Sequence, residues 1–268
     1  MTANNASFFV VGIGASAGGL DAIQKLFDHL PDDTGMAFVI IQHLSPDFKS
    51  LMPELLSKHT EMPIYKARDK QIIKPNCIYL NQRSKNLHLK GNKLLLLDKA
   101  PKHNLNLPID IFFHTLGEEY KENAVGIILS GTGSDGSRGI KTIKEQGGTI
   151  IVQNPKTCQF DGMPNSALMT NTVDHVLELK EMAQVLTSFP DGKSLLVENY
   201  IKERSNDDMV KEILTIIYTF CNIDFREYKR NTILRRLEKR MQINNIEYLS
   251  NYISFLSGND EEKNALKD

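Results

Sequence analysis

The chain has 268 residues, 41% hydrophobic and 24% charged, the composition of an ordinary soluble globular protein with room for one large or two modest domains. A net charge of −1 gives no global reason to expect nucleic acid or a membrane surface as partner, and no run nears the ~18 apolar residues of a membrane span. The N-terminal MTANNASFFV lacks a basic leader, and Cys77, Cys158 and Cys221 form neither a disulfide framework nor a zinc site, so a cytoplasmic location is expected.

Residues 7–13 (SFFVVGI) form a continuous apolar run, which predicts a strand buried on both faces. From Gly18 to about Leu30, apolar residues recur at helical spacing (Leu20, Ile23, Phe27, Leu30). Met36 to His43 (MAFVIIQH) predicts a second buried strand, and Lys49 to Lys58 a short helix. Pro63 to Asp98 holds short β-like pieces (IYK, CIYL, LHL, LLLL), with a turn at Gly91-Asn92 that suggests a hairpin. Alternation then resumes. Pro108 to Tyr120 predicts a helix, Ala124 to Ser130 a buried strand, and Ser137 to Gln146 a helix closed by Gly147-Gly148. Thr149 to Gln153 and Asp174 to Leu177 complete the strands. Strands alternating with helices imply right-handed parallel crossovers, hence a doubly wound α/β sheet, mostly parallel, with a small hairpin insertion. Past Ser188 the composition turns polar, and only helix-period segments follow: Met209 to Phe220, Arg226 to Met241 and Glu247 to Leu256. The expected organisation is a catalytic domain over 1–188, a linker over 189–205 and a small all-α domain over 206–268.

VGIGASAGGL, Val11 to Leu20, allows two readings. Gly12, Gly14 and Gly18 sit at a strand-to-helix junction, as in a dinucleotide loop, but that loop needs an acidic residue ~20 positions on. Gln42-His43 stands there instead, and no Gly-Lys-Ser/Thr is present for a phosphate loop. The other reading makes Ser16 a nucleophile. Ser16 follows the first strand, His43 ends the second, and Asp135 lies just past Ala124–Ser130. In a parallel sheet all these ends share one edge. A serine hydroxyl needs an imidazole to take its proton, and the imidazole needs a carboxylate to fix its tautomer. Free N–H groups at the start of the following helix could receive an oxyanion. Each residue also has a plain structural reading: a helix N-cap, a strand-end histidine and a turn aspartate. His29, His59, His88, His103, His114 and His175 show no metal-ligand spacing, so no metal and no cofactor is expected.

GASAGG, QHLSP, SGTGSDGSRG and FDGMP, in this order, resemble the chemotaxis methylesterase domain of the CheB type over roughly residues 7–187. The resemblance implies a serine hydrolase that cleaves glutamate methyl esters on chemoreceptor helices, releases methanol, and often deamidates glutamines there. It implies Ser16 as nucleophile, His43 as general base and Asp135 as its orienting carboxylate. It also implies backbone of Ala17, Gly131, Thr132 and Gly133 around the oxyanion, and Met163-Pro164 as a loop beside the substrate. Ala17 stands where many members have threonine, and the receiver domain that usually precedes the family's domain is absent from the sequence. Both departures leave room for a catalytically weak, scaffolding role.

Asp224 to Met241 (DFREYKRNTILRRLEKRM) resembles the N-terminal helical domain of CheR-type receptor methyltransferases. Its basic residues, among them Lys229, Arg230, Arg235, Arg236 and Arg240, read either as a solvated helix face or as a docking surface for an acidic coiled coil such as a methylated receptor. Nucleic acid is not expected as a partner. The cofactor-binding domain of such a methyltransferase does not follow in the sequence, so no methyl transfer is expected.

Overall fold

The computed structural model describes residues 8–43, 51–99, 106–189, 209–221, 230–244, 246 and 249–267. The chain divides into two compact units, Met1–Lys193 and Ser194–Asp268.

A seven-stranded sheet forms the centre of the first unit. Its strands are β1 (Val10–Ala15), β2 (Ala37–Gln42), β3 (Ile64–Lys66), β5 (Cys77–Leu80), β8 (Ala124–Ile128), β9 (Thr149–Gln153) and β10 (His175–Leu177). Their spatial order is β10-β9-β8-β1-β2-β5-β3, and every neighbouring pair is parallel. From β1 the chain builds outward to one side through β2, then returns to build outward on the other through β8. The order therefore reverses between β1 and β8, the place where an open parallel sheet leaves a crevice at its carboxyl edge.

The helices of this unit are α1 (Gly19–Phe27), α2 (Met52–Leu56), α3 (Pro108–Tyr120), α4 (Gly139–Glu145), α5 (Gly162–Leu168) and α6 (Leu179–Ser188). On one face of the sheet, Ile109, Phe112, Phe113 and Leu116 of α3 pack with Ile140 and Ile143 of α4 in the main core. This packing explains the first two glycines of VGIGASAGG. A Cβ on Gly12 would come within 2.8 Å of Leu116, and one on Gly14 within 2.6 Å of Ile109. These glycines let α3 lie close against β1. Gly18 is different: its φ of +70° forms the left-handed turn that opens α1.

Lys85–Lys90 (β6) and Lys93–Asp98 (β7) form the expected hairpin, turning at Gly91 with φ +56°. Gln71–Ile72 (β4) adds a third, antiparallel strand. IYK and CIYL do not join this insertion; as β3 and β5 they extend the main sheet. Residues 44–50, including part of the expected helix from Lys49, lie outside the described residues. Two helices of this unit went unread in the sequence, α5 and α6, although α6 carries a capping box between Glu178 and Glu181.

In the second unit, α7 (209–221), α8 (Arg230–Ile243), α9 (Leu249–Ser257) and α10 (Asp260–Lys267) enclose a core of Ile213, Ile217, Leu237, Tyr252, Leu256 and Leu266. No helix among the described residues is long and apolar enough to cross a membrane.

Candidate active site

Ser16 immediately follows β1. Its N–H donates to the Ser130 carbonyl (3.1 Å), and its own carbonyl accepts from Gly19 N–H (2.9 Å). These bonds tie the Ser16 turn to the ends of β1 and β8. His43 immediately follows β2. The backbone of Gln42 before it is clasped by one amide: Gln42 N–H donates to Asn81 Oδ1 (3.2 Å), and Asn81 Nδ2 donates to the Gln42 carbonyl (3.0 Å). Asn81 thus continues the β2–β5 pairing with a side chain and fixes where His43 leaves the sheet.

The three side chains converge. His43 Nδ1 lies 3.1 Å from Ser16 Oγ, and His43 Nε2 lies 2.7 Å from Asp135 Oδ2. With the proton on Nε2 donated to the carboxylate, the Nδ1 lone pair faces the serine hydroxyl and can take its proton. The imidazole is 36% exposed, whereas the Asp135 side chain is 2% exposed. The imidazole is thus open to solvent while its carboxylate partner is shielded from it. Asp135 is held by the start of α3: Ile109 N–H donates to Oδ2 (3.1 Å) and Asp110 N–H to Oδ1 (2.9 Å). Pro108 opens that helix and carries no N–H, and Leu107 supplies no side-chain cap. Asp135 therefore satisfies two orphan donors at a positive helix end, and they offset the burial of its charge.

Peptide geometry sorts the oxyanion candidates. Gly131 N–H is already donated to the Phe160 carbonyl (2.9 Å), so of these backbone positions Gly131 has no free N–H to offer an oxyanion. Its carbonyl accepts from Met163 N–H (2.8 Å), and the Gly133 carbonyl accepts from Ser166 Oγ–H (3.1 Å). In a trans peptide the next N–H points opposite to the carbonyl. Thr132 N–H is therefore aimed away from α5, as Ala17 N–H is aimed away from the Gly19 amide. Among the described residues neither N–H has an acceptor. Thr132 and Gly133 are exposed.

Met163 and Pro164 are buried in the first turn of α5, Met163 at 1% exposure. The thioether of Met163 is pressed against Gly131. These two residues lie in a helix, not the expected loop, and back the 131–133 segment from its buried side. Asp110, Asn81 and Ser166 are further residues with roles here that sequence reasoning missed. Each resembles an ordinary helix, turn or strand-end polar residue until the fold brings it to the site.

In the helical unit, Arg240 is corrected as a docking residue. Its Nε donates to Glu262 Oε1 (2.8 Å) and its Nη2 to Glu262 Oε2, while Tyr252 Oη (2.6 Å) and Asn244 Nδ2 (3.0 Å) complete the shell around that buried carboxylate. Arg235 is exposed, and Arg236 is half-buried beside Ile213, Ile217 and Ile233. Lys229 and the side chain of Arg230 lie outside the described residues.

Residues 11–186 match the model of the CheB methylesterase family. The chain belongs to that family. Residues 208–268 match the all-alpha domain of CheR methyltransferases. A Leptospira interrogans relative is 33% identical over 180 residues, covering 67% of this chain and 93% of its own length. A Hydrogenovibrio crunogenus protein named protein-glutamate methylesterase/protein-glutamine glutaminase is 34% identical over 174 residues, covering 63% of this chain and 46% of its own. An uncharacterized 104.1 kDa protein of Rhodobacter capsulatus is 30% identical over 240 residues, covering 81% of this chain and 25% of that protein. The crystal structure of the Thermotoga maritima CheB methylesterase catalytic domain superposes with a TM-score of 0.64 at 29% identity, over 69% of this chain and all of that one. The CheB-type match thus spans the seven-stranded sheet with its insertion.

Proposed function

We propose that the chain is a protein-glutamate methylesterase that works by a Ser16–His43–Asp135 relay. The observation that carries this reading is the unbroken pair of contacts, 3.1 Å and 2.7 Å, on the two nitrogens of one imidazole. Ser16 Oγ attacks the ester carbonyl while His43 Nδ1 takes its proton. The tetrahedral oxyanion is received by the N–H groups of Ala17 and Thr132. Collapse expels methoxide, which takes the proton from His43 and leaves as methanol. A water deprotonated by His43 then releases the glutamate. Asp135 stays a carboxylate throughout, stabilising the imidazolium.

The substrate is a glutamate methyl ester on a chemoreceptor or a related acidic coiled coil. A glutamine can enter the same path with ammonia as leaving group, in keeping with the double name of the Hydrogenovibrio relative. For the helical unit, the exposed cations Arg235 and Lys239 on α8 suit an acidic partner helix.

Replacing Ser16 with Ala should abolish methanol release from a methylated receptor with an unchanged melting temperature. Methanol release at the parent's rate by that variant would rule the mechanism out.

A further inference from the structure

Asp110 is a charged residue that the mechanism above does not use, yet it touches both ends of the turn that carries Asp135. Its main-chain N–H donates to Asp135 Oδ1 (2.9 Å). Its side chain reaches the far end of the turn, where Oδ1 accepts from Arg138 N–H (2.9 Å) and Gly139 N–H (2.8 Å). Those two N–H groups open α4, whose N-cap residue Arg138 provides no side-chain cap. The same helix start is pressed onto α3, since a Cβ on Gly139 would come within 2.9 Å of the Asp110 carbonyl. Residues 135–139 therefore hang at both ends from one residue of α3.

Stability alone does not account for a carboxylate here. Asp110 is 8% exposed, and its Oδ2 has no hydrogen-bond partner. Burial pushes its carboxyl above the usual range and the charge of Asp135 adds to that, while the Gly139, Arg138 and Gly136 N–H groups pull it down. For an acid whose folded value is raised, stability falls as pH rises through the carboxylate range, so the ionised group is a net cost at neutral pH. A serine or asparagine at the N-cap itself would cap α4 without a buried charge.

We propose that Asp110 is a positioning residue for the Ser16–His43–Asp135 relay: through its main-chain N–H and its carboxylate it holds the 135–139 turn so that Asp135 meets His43. The inference rests on the relay proposed above. Loss of the carboxylate leaves the Arg138 and Gly139 N–H groups without their acceptor and frees the turn. Asp135 can then drift from His43, and the base loses its orientation, at a cost of about tenfold to a hundredfold in rate for ~1 Å of displacement.

The test is acylation of the full chain by a fluorophosphonate, separating kinact from KI. Asp110→Ala should lower kinact by about ten- to a hundredfold with KI within about twofold of the parent. Asp110→Asn keeps an oxygen acceptor for both N–H groups and should restore kinact to within about threefold. An alanine variant with the parent's kinact overturns the inference, as does an asparagine variant as slow as alanine. If the alanine chain does not fold, Asp110→Glu takes its place. It keeps the charge but moves the carboxylate by one methylene, and it should show the same loss in kinact; the parent's rate would overturn the inference. A parent chain inert to the probe overturns the relay itself and this inference with it, whereas a reactive parent with a fully reactive Asp110→Ala overturns only the role of Asp110.

Discussion

Gly131 shows how narrow the tolerances are around Ser16. A Cβ there would collide with the Met163 thioether and come within 3.0 Å of Ser16 Cβ. The thioether can swing aside, but Ser16 is pinned through its backbone to Ser130 and Gly19 and can only shift as part of its turn. Gly131→Ala should therefore fold and yet lose roughly tenfold or more in acylation rate, as read from stopped-flow ester hydrolysis; an undiminished rate would mean that the loop is softer than its contacts imply. The convergence of Ser16, His43 and Asp135 was legible in the sequence because Ser16 and His43 directly follow strands, Asp135 lies on the loop after β8, and strand ends of a parallel sheet share an edge. Asp110 was not legible: an acidic residue in the first turn of a helix is usually a local electrostatic feature. Arg240 was misread for a related reason. On a basic helix its charge looks like surface, and only the fold shows Glu262, 22 residues later, waiting for it.

Among the elements, α3 does the most to build the site. Its apolar face lies on Gly12 and Gly14 of β1, its N-terminus grips Asp135, and its third residue caps α4. The sequence predicted the limits of α3, Pro108 and Tyr120, because proline marks a helix start and the apolar residues keep helical spacing. It did not predict α5. GMPNSAL contains glycine, proline, asparagine and serine, all weak helix formers. Tertiary contacts make it helical: Met163 N–H on Gly131, Ser166 on Gly133, and Ala167 in the core. The pieces IYK and CIYL misled for another reason. A short strand looks alike in sequence whether it joins a parallel sheet or a hairpin, and pairing with β2 is a long-range event.

At the scale of the whole molecule, the two units rest on different chemistry. The helical unit is pinned by Glu262, whose side chain is 3% exposed. The Arg240 guanidinium holds its carboxyl below the usual range, against the opposing push of burial, and Tyr252 and Asn244 help. For an acid whose folded value is depressed, the stability it contributes is complete above the unfolded value and is lost as pH falls through the folded one. Hydrogen exchange in α9 of the full chain should therefore speed up as pH drops below about 4.3, after correction for intrinsic exchange. Glu262→Gln should show faster α9 exchange already at pH 7, by an amount matching roughly 3 kcal/mol; equal protection in parent and variant would remove the network from the account. In the α/β unit, by contrast, the reversal of strand order between β1 and β8 brings Ser16 and Asp135 to adjacent strand ends, with His43 on the neighbouring strand. Mass-spectrometric mapping of the adduct left by a fluorophosphonate tests that convergence most directly. The account predicts one phosphonyl group per chain, on Ser16, lost in His43→Ala; an adduct on another serine, or none on a folded chain, would contradict it.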